Sequence, residues 1–199
     1  MRSKDAEVMV VTQDRKRAVL ARESSLTVLD LASGIVRHTL IGHSARVTAL
    51  VATPDGTEVI SGSEDHTIKV WNLASGTERY TLVGHSGSVT ALVVTPDAKY
   101  VVSASRDKTL KVWDLTSGLI LDSYAGDVAM LSCALAPGNE TVIAEDQIGG
   151  VHILRLLGPT DRLACEDLDV LMQSVSASSG DFRITAASRD RSTRTHRLV

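Results

Sequence analysis

The stretch that decides the fold runs from Gly42 to Gly76 and reads GHSARVTALVATPDGTEVISGSEDHTIKVWNLASG. It returns almost unchanged from Gly84 to Gly118 as GHSGSVTALVVTPDAKYVVSASRDKTLKVWDLTSG, without a gap and at an offset of 42 residues. Working outward, SLTVLDLASG ends at Gly34, again 42 before Gly76. GGVHILRL aligns on KTLKVWDL, and the C-terminal AASRDRSTRTHRL aligns on SASRDKTLKVWDL. One leucine marks each unit (Leu31, Leu73, Leu115, Leu156 and Leu198), at spacings of 42, 42, 41 and 42. A repeat of this period belongs to architectures in which no unit can bury its apolar face alone and neighbours must stack.

Within a unit the pattern is that of strands. RVTALVATP and TIKVWNL alternate apolar with polar or small residues and are rich in β-branched side chains. Pro54-Asp55-Gly56 places a fixed φ, a side-chain acceptor and a permissive glycine in succession, as a tight turn requires. Ser75-Gly76 and Ser117-Gly118 punctuate the next turn. Each unit therefore predicts four short strands joined by three turns. No segment carries a sustained helical period. Phe182 is the only phenylalanine, so the core must be built of valine, leucine, isoleucine and alanine.

The runs GH…SGSEDHTIKVWN and GH…SASRDKTLKVWD resemble WD repeats. The resemblance implies an all-β fold, a β-propeller of WD-type four-stranded blades set radially. Five units of about 42 residues fall short of the about 294 that a seven-bladed ring of this period needs. The expectation is an open or incomplete ring of about five blades. It forms a single domain over 1–199, with repeats at 8–41, 42–83, 84–125, 126–166 and 167–199. GGVHILRLLG also looks like the repeat ends of bacterial-type signalling proteins in which WD repeats follow a nucleotide-binding switch.

The resemblance further implies a buried structural tetrad in each complete blade. The matching positions are His43, Ser61, Asp65 and Trp71 in the second unit, and His85, Ser103, Asp107 and Trp113 in the third. A buried carboxylate needs donors, which an imidazole N–H and backbone amides supply. The second ring nitrogen can meet the serine hydroxyl, whose other partner is the indole N–H. Elsewhere the set is broken. Leu29, Leu154 and His196 stand at the tryptophan position and Glu23, Ile148 and Asp190 at the aspartate position. The fourth unit keeps Gly126 but has Asp127 for histidine, and the fifth has Asp167 and Leu168.

His43, Ser61 and Asp65 also spell a hydrolytic triad. The identical recurrence as His85, Ser103 and Asp107 favours the structural reading, and the sequence has no GxSxG elbow. No catalytic residue is therefore assigned. Gly149-Gly150 reads as a hairpin turn rather than a phosphate loop, which would need more glycine and a following helix. The six histidines show no zinc spacing, so neither metal nor cofactor is expected. CEDLD reads as a solvated segment, and the arginine-rich RDRSTRTHR as the diverged end of the fifth unit rather than a nucleic-acid patch. The net charge of -3 with mixed signs gives no electrostatic footprint for nucleic acid. Two cysteines, Cys133 and Cys165, form no disulfide framework, and no apolar run is long enough to span a bilayer, so a cytoplasmic setting is expected.

The function expected is that of a non-catalytic scaffold that presents a rigid surface to a protein partner. The alternative is a sensor fragment of a larger nucleotide-dependent signalling protein. In each turn between middle strands the aspartate points inward, so the residue before it should point out. That picks Arg22, Glu64, Arg106, Gln147 and Arg189 as partner-binding, with Arg46 and Ser88 approaching the same rim. Open edges predict self-association or a completing chain.

Overall fold

The computed structural model describes residues 8–138 and 141–156 in full and 195–198 as backbone. Four consecutive hairpin groups make up the described chain. The first contains β1 (Val8–Val11), β2 (Arg17–Arg22), β3 (Ser25–Asp30) and β4 (Val36–Ile41). The second contains β5 (Val47–Ala52), β6 (Glu58–Ser63), β7 (Thr67–Asn72) and β8 (Thr77–Val83). The third contains β9 (Val89–Val94), β10 (Tyr100–Ser105), β11 (Thr109–Asp114) and β12 (Ile120–Ala125). The fourth contains β13 (Met130–Leu135), β14 (Thr141–Asp146), β15 (Val151–Leu156) and β16 (Thr195–Leu198). Each group is one four-stranded sheet whose strands pair in chain order. The described residues are all-β, as the repeat predicts.

The sheets are blades. Their first strands β1, β5, β9 and β13 pack side by side in succession, which stacks the blades face to face. Three apolar layers fill the gaps. Leu26, Val28 and Val47 join the first blade to the second, Ile60, Ile68 and Val89 the second to the third, and Val102, Leu110 and Met130 the third to the fourth. The Thr48 hydroxyl donates to the Val89 carbonyl of the next blade, and the Thr90 hydroxyl to that of Met130 at 2.7 Å. These inter-blade bonds recur at the repeat period.

Burial distinguishes inner blades from end blades. In β6 and β10 five successive residues are buried, because both faces of these strands are covered. In β1 and β14 exposure alternates, because one face is covered more than the other. Among the described residues the blades stack in order from the first to the fourth, and no sheet closes on itself.

Turn chemistry explains how the units tolerate sequence drift. Thr12, Thr53 and Thr95 each donate a hydroxyl to the aspartate two residues on, all at 2.6 Å. Gly56 takes the left-handed conformation expected of it, yet Arg15 and Ala98 take it in the sister turns at φ of 55° and 56°. The side-chain bonds hold a geometry that costs a non-glycine residue about 1–2 kcal/mol.

Thr195–Leu198, expected as a strand of the fifth unit, runs parallel to β15 as the fourth strand of the fourth sheet, with Leu154 opposite His196. A bare β15 edge would present unpaired amides and carbonyls, and this segment covers them. The remainder of the fifth unit, with Cys165, Asp167, Leu168, Arg189 and Asp190, lies outside the described residues.

Candidate functional site

The structure brings together His43, Ser61, Asp65 and Trp71. His43 lies in the connection entering the second blade, Ser61 on β6, Asp65 in the β6–β7 turn and Trp71 on β7. His43 Nδ1 lies 2.7 Å from Asp65 Oδ2, and Nε2 lies 2.8 Å from Ser61 Oγ. The Trp71 indole donates to the same hydroxyl at 2.8 Å. The third blade repeats the set, with 2.7 Å from His85 to Asp107, 2.7 Å to Ser103, and 2.8 Å from Trp113 to Ser103. Gly42 and Gly84 precede the histidines because the indoles lie against the backbone. A Cβ at either glycine would come within 3.0 Å of the tryptophan ring.

Each carboxylate is saturated. Asp65 accepts from the Ser44 amide at 3.0 Å, and from the Thr67 amide and hydroxyl at 2.9 and 2.6 Å. Burial pushes its pKa up, but these donors and His43 outweigh burial and hold it at about 2. Asp107 is held at about 2 in the same way by Thr109, the Ser86 amide and His85. Burial pulls both histidines below the ordinary imidazole value against the opposing pull of their aspartates, which favours the neutral ring. The distances resemble those of a hydrolytic triad. Ser61 and Ser103 are 0% exposed, however, and each hydroxyl is already shared with an indole. No substrate carbonyl can reach them without unpacking the blade.

The first blade departs as its sequence implies. Four residues separate the paired Ala21 and Leu26, whereas five separate Gly62 and Ile68. Glu23 falls in this shorter turn with φ of 51° and is exposed.

The fourth blade contains a network that sequence reading missed. Ile148 occupies the turn position of Asp65 and Asp107, but Asp146, which takes the place of Ser63 and Ser105, supplies the carboxylate. Its Oδ1 accepts from the Ile148 amide at 3.0 Å and the Gly150 amide at 2.8 Å. In the second and third blades those amide bonds are shared between a serine hydroxyl and the aspartate. Asp146 Oδ2 lies 2.8 Å from His152 Nε2, and the Tyr124 hydroxyl of the third blade lies 3.0 Å from His152 Nδ1. His152 stands on β15 opposite Ala144, the register that Lys69 and Lys111 hold opposite Ser61 and Ser103. Gly150 leaves room for this carboxylate, which a Cβ there would force to shift. Burial raises the Asp146 pKa, but His152 and the two amides outweigh it and leave the group below the usual carboxylate value. The only sequence signal was an acid just before the turn and a histidine just after it, in DQIGGVH.

Above these networks lies the rim. Arg22, Glu64, Arg106, Gln147 and Arg46 are exposed, and Ser88 is half-buried. The backbone ties them in pairs. The Glu64 amide donates to the Arg46 carbonyl at 2.9 Å, Arg106 to Ser88 at 2.9 Å, and Gln147 to Ala129 at 2.8 Å. Arg189 lies outside the described residues. Among the described residues no cluster of histidine, cysteine or acidic groups could hold a metal ion, and no helix is long and apolar enough to cross a membrane.

Comparison with known proteins matches residues 34–72 and 76–114 to the family described as "WD domain, G-beta repeat". Each match begins at the outer strand of one blade and runs through three strands of the next, so each repeat straddles a blade boundary. The chain is also similar to "Autophagy-related protein 16" of Arabidopsis thaliana, with 44% identity over 63 residues. That match covers 31% of this chain and 12% of the relative.

Proposed function

We propose that the chain, whose residues 34–72 and 76–114 match WD repeats and whose described residues form four-stranded blades, serves as a non-catalytic scaffold whose rim holds a protein partner. The observation that carries this reading is the division of labour in the middle-strand turns of the second and third blades. The inward residue is locked in a buried network, while its neighbour, Glu64 or Arg106, stands exposed at a position fixed by a backbone bond. A rigid backbone that presents mixed charges suits recognition, because little side-chain and loop ordering is left to oppose binding. Arginine is also a frequent interface anchor.

The tetrads His43–Ser61–Asp65–Trp71 and His85–Ser103–Asp107–Trp113 belong to the scaffold rather than to chemistry. The rim residues of this proposal are Arg22, Arg46, Glu64, Ser88, Arg106 and Gln147, and Arg189, outside the described residues, stays a candidate from the sequence alone. A cytoplasmic setting is part of the same proposal. It is supported by the low cysteine content, two in the chain, with no disulfide framework in their spacing.

The test begins with affinity capture by the intact chain to identify a partner. Arg106→Glu combined with Glu64→Arg should then abolish binding while leaving the melting temperature nearly unchanged. Unaltered affinity in that double variant would remove the rim from consideration and point to the ends of the arc.

A further inference from the structure

In the second and third blades, the turn between middle strands spends one of its positions on an inward aspartate. The fourth blade does not. Asp146 satisfies the turn amides from the end of β14 and binds His152 there, so the aspartate position is released. Ile148 fills it and points into solvent at 79% exposure, the highest among the large apolar side chains of the described residues. The turn that carries it is rigid. Ile148 and Gly150 are both hydrogen-bonded to one carboxylate, and Gly149 adopts φ of 81°. A protein that needed only a stable hairpin there could use any polar residue.

The surroundings of Ile148 define what would cover it. The Gly126 amide donates to the Lys108 carbonyl at 2.8 Å, and the Gln147 amide to the Ala129 carbonyl at 2.8 Å. Residues 126–129 thus join the third-blade turn to the fourth-blade turn in one continuous strip. Arg106 and Lys108 stand exposed at one end of that strip and Ile148 at the other.

We infer that the tops of the third and fourth blades take a short segment of a protein partner in which an aliphatic side chain, seated on Ile148, lies near an acidic side chain that faces Arg106 and Lys108. This rests on the rim reading above and narrows it to one patch and one partner chemistry. Ile148 supplies the apolar contact that the charged rim lacks, on a backbone already ordered, and Arg106 and Lys108, which outnumber the one exposed carboxylate of the strip, Asp127, set the sign of the complementary charge.

The test uses the full chain immobilised against a phage-displayed library of random short peptides. The expected enrichment is an aliphatic residue beside aspartate or glutamate. Ile148→Ser should weaken the selected peptides by at least about tenfold, the range set by loss of apolar contact. Its melting temperature should stay unchanged, because the side chain is exposed. Arg106→Glu with Lys108→Glu should reverse the charge preference. Two results overturn the inference: capture of no peptide, or selected peptides that bind Ile148→Ser as well as the parent. If such peptides are nevertheless lost on Arg106→Glu with Glu64→Arg, the rim reading stands and only this inference fails. If both variants bind them unchanged, both readings fail.

Discussion

His43 and Asp65 are 22 residues apart in the chain, yet their Nδ1 and Oδ2 atoms lie 2.7 Å apart. The same relation joins His85 to Asp107 at the same separation and distance. The bond ties the connection entering a blade to the turn between its middle strands, so it closes a loop that the sheet ladder alone does not close. Its partners are buried, and loss of either leaves the other unpaired.

Asp65→Ala and Asp107→Ala should each destabilise the chain by about 1–3 kcal/mol, the cost of leaving a buried partner unsatisfied. That corresponds to a fall in melting temperature of roughly 2–4 °C per kcal/mol for a chain of this size. Asp127→Ala should lower it much less, because Asp127 is exposed where the fourth unit lacks the histidine. Equal falls in all three variants by differential scanning fluorimetry would refute this assignment of roles.

Fourth-blade substitutions should invert the ranking that sequence alignment suggests. Alignment puts Ile148 at the aspartate position, but Asp146 holds the turn and bridges through His152 to Tyr124. Asp146→Ala should cost about 1–3 kcal/mol and Ile148→Ala almost nothing. A larger loss in the Ile148 variant would show that the fourth blade is not locked by Asp146.

Stability should fall in acid in two stages. Both tetrad histidines have folded pKa values below the unfolded value near 6.5, so the unfolded chain takes up protons first. Their contribution is complete above that pH and is lost as pH drops below it. Asp65 and Asp107, lowered from 3.8 to about 2, contribute fully above pH 3.8, and that part is lost between there and about 2. Urea midpoints across this range should decrease monotonically with acidification. A midpoint that rises between pH 7 and pH 4 would contradict the neutral-histidine networks.

The ends of the arc make an assembly prediction. Met9 and Val11 are exposed on β1 and Leu131 on β13. Apolar strands at an open end favour a covering chain. Light scattering should report a species larger than the monomer, or a monomer that gains stability when a partner is added. A compact monomer of ordinary stability that binds nothing would count against this.

Much of this could be read before any fold was known. The 42-residue period, the alternation in RVTALVATP and the turn residues dictate stacked four-stranded units, because strand alternation and turn geometry are local properties of the chain. His43, Ser61, Asp65 and Trp71 could be named because the resemblance to WD repeats implies a tetrad at these positions, and the identical set one period later favoured its structural reading. Tertiary structure alone decided the rest. Asp146, His152 and Tyr124 form a network from three strands of two blades, and no repeat in the sequence marks them, because their partnership depends on which side chains face each other across a gap. The exposure of Ile148 was likewise invisible, since an isoleucine at that position would by composition be assigned to the core. The pairing of Thr195–Leu198 with β15 rather than with a fifth sheet follows from the need of an open strand edge for a partner, and only the folded chain can satisfy it.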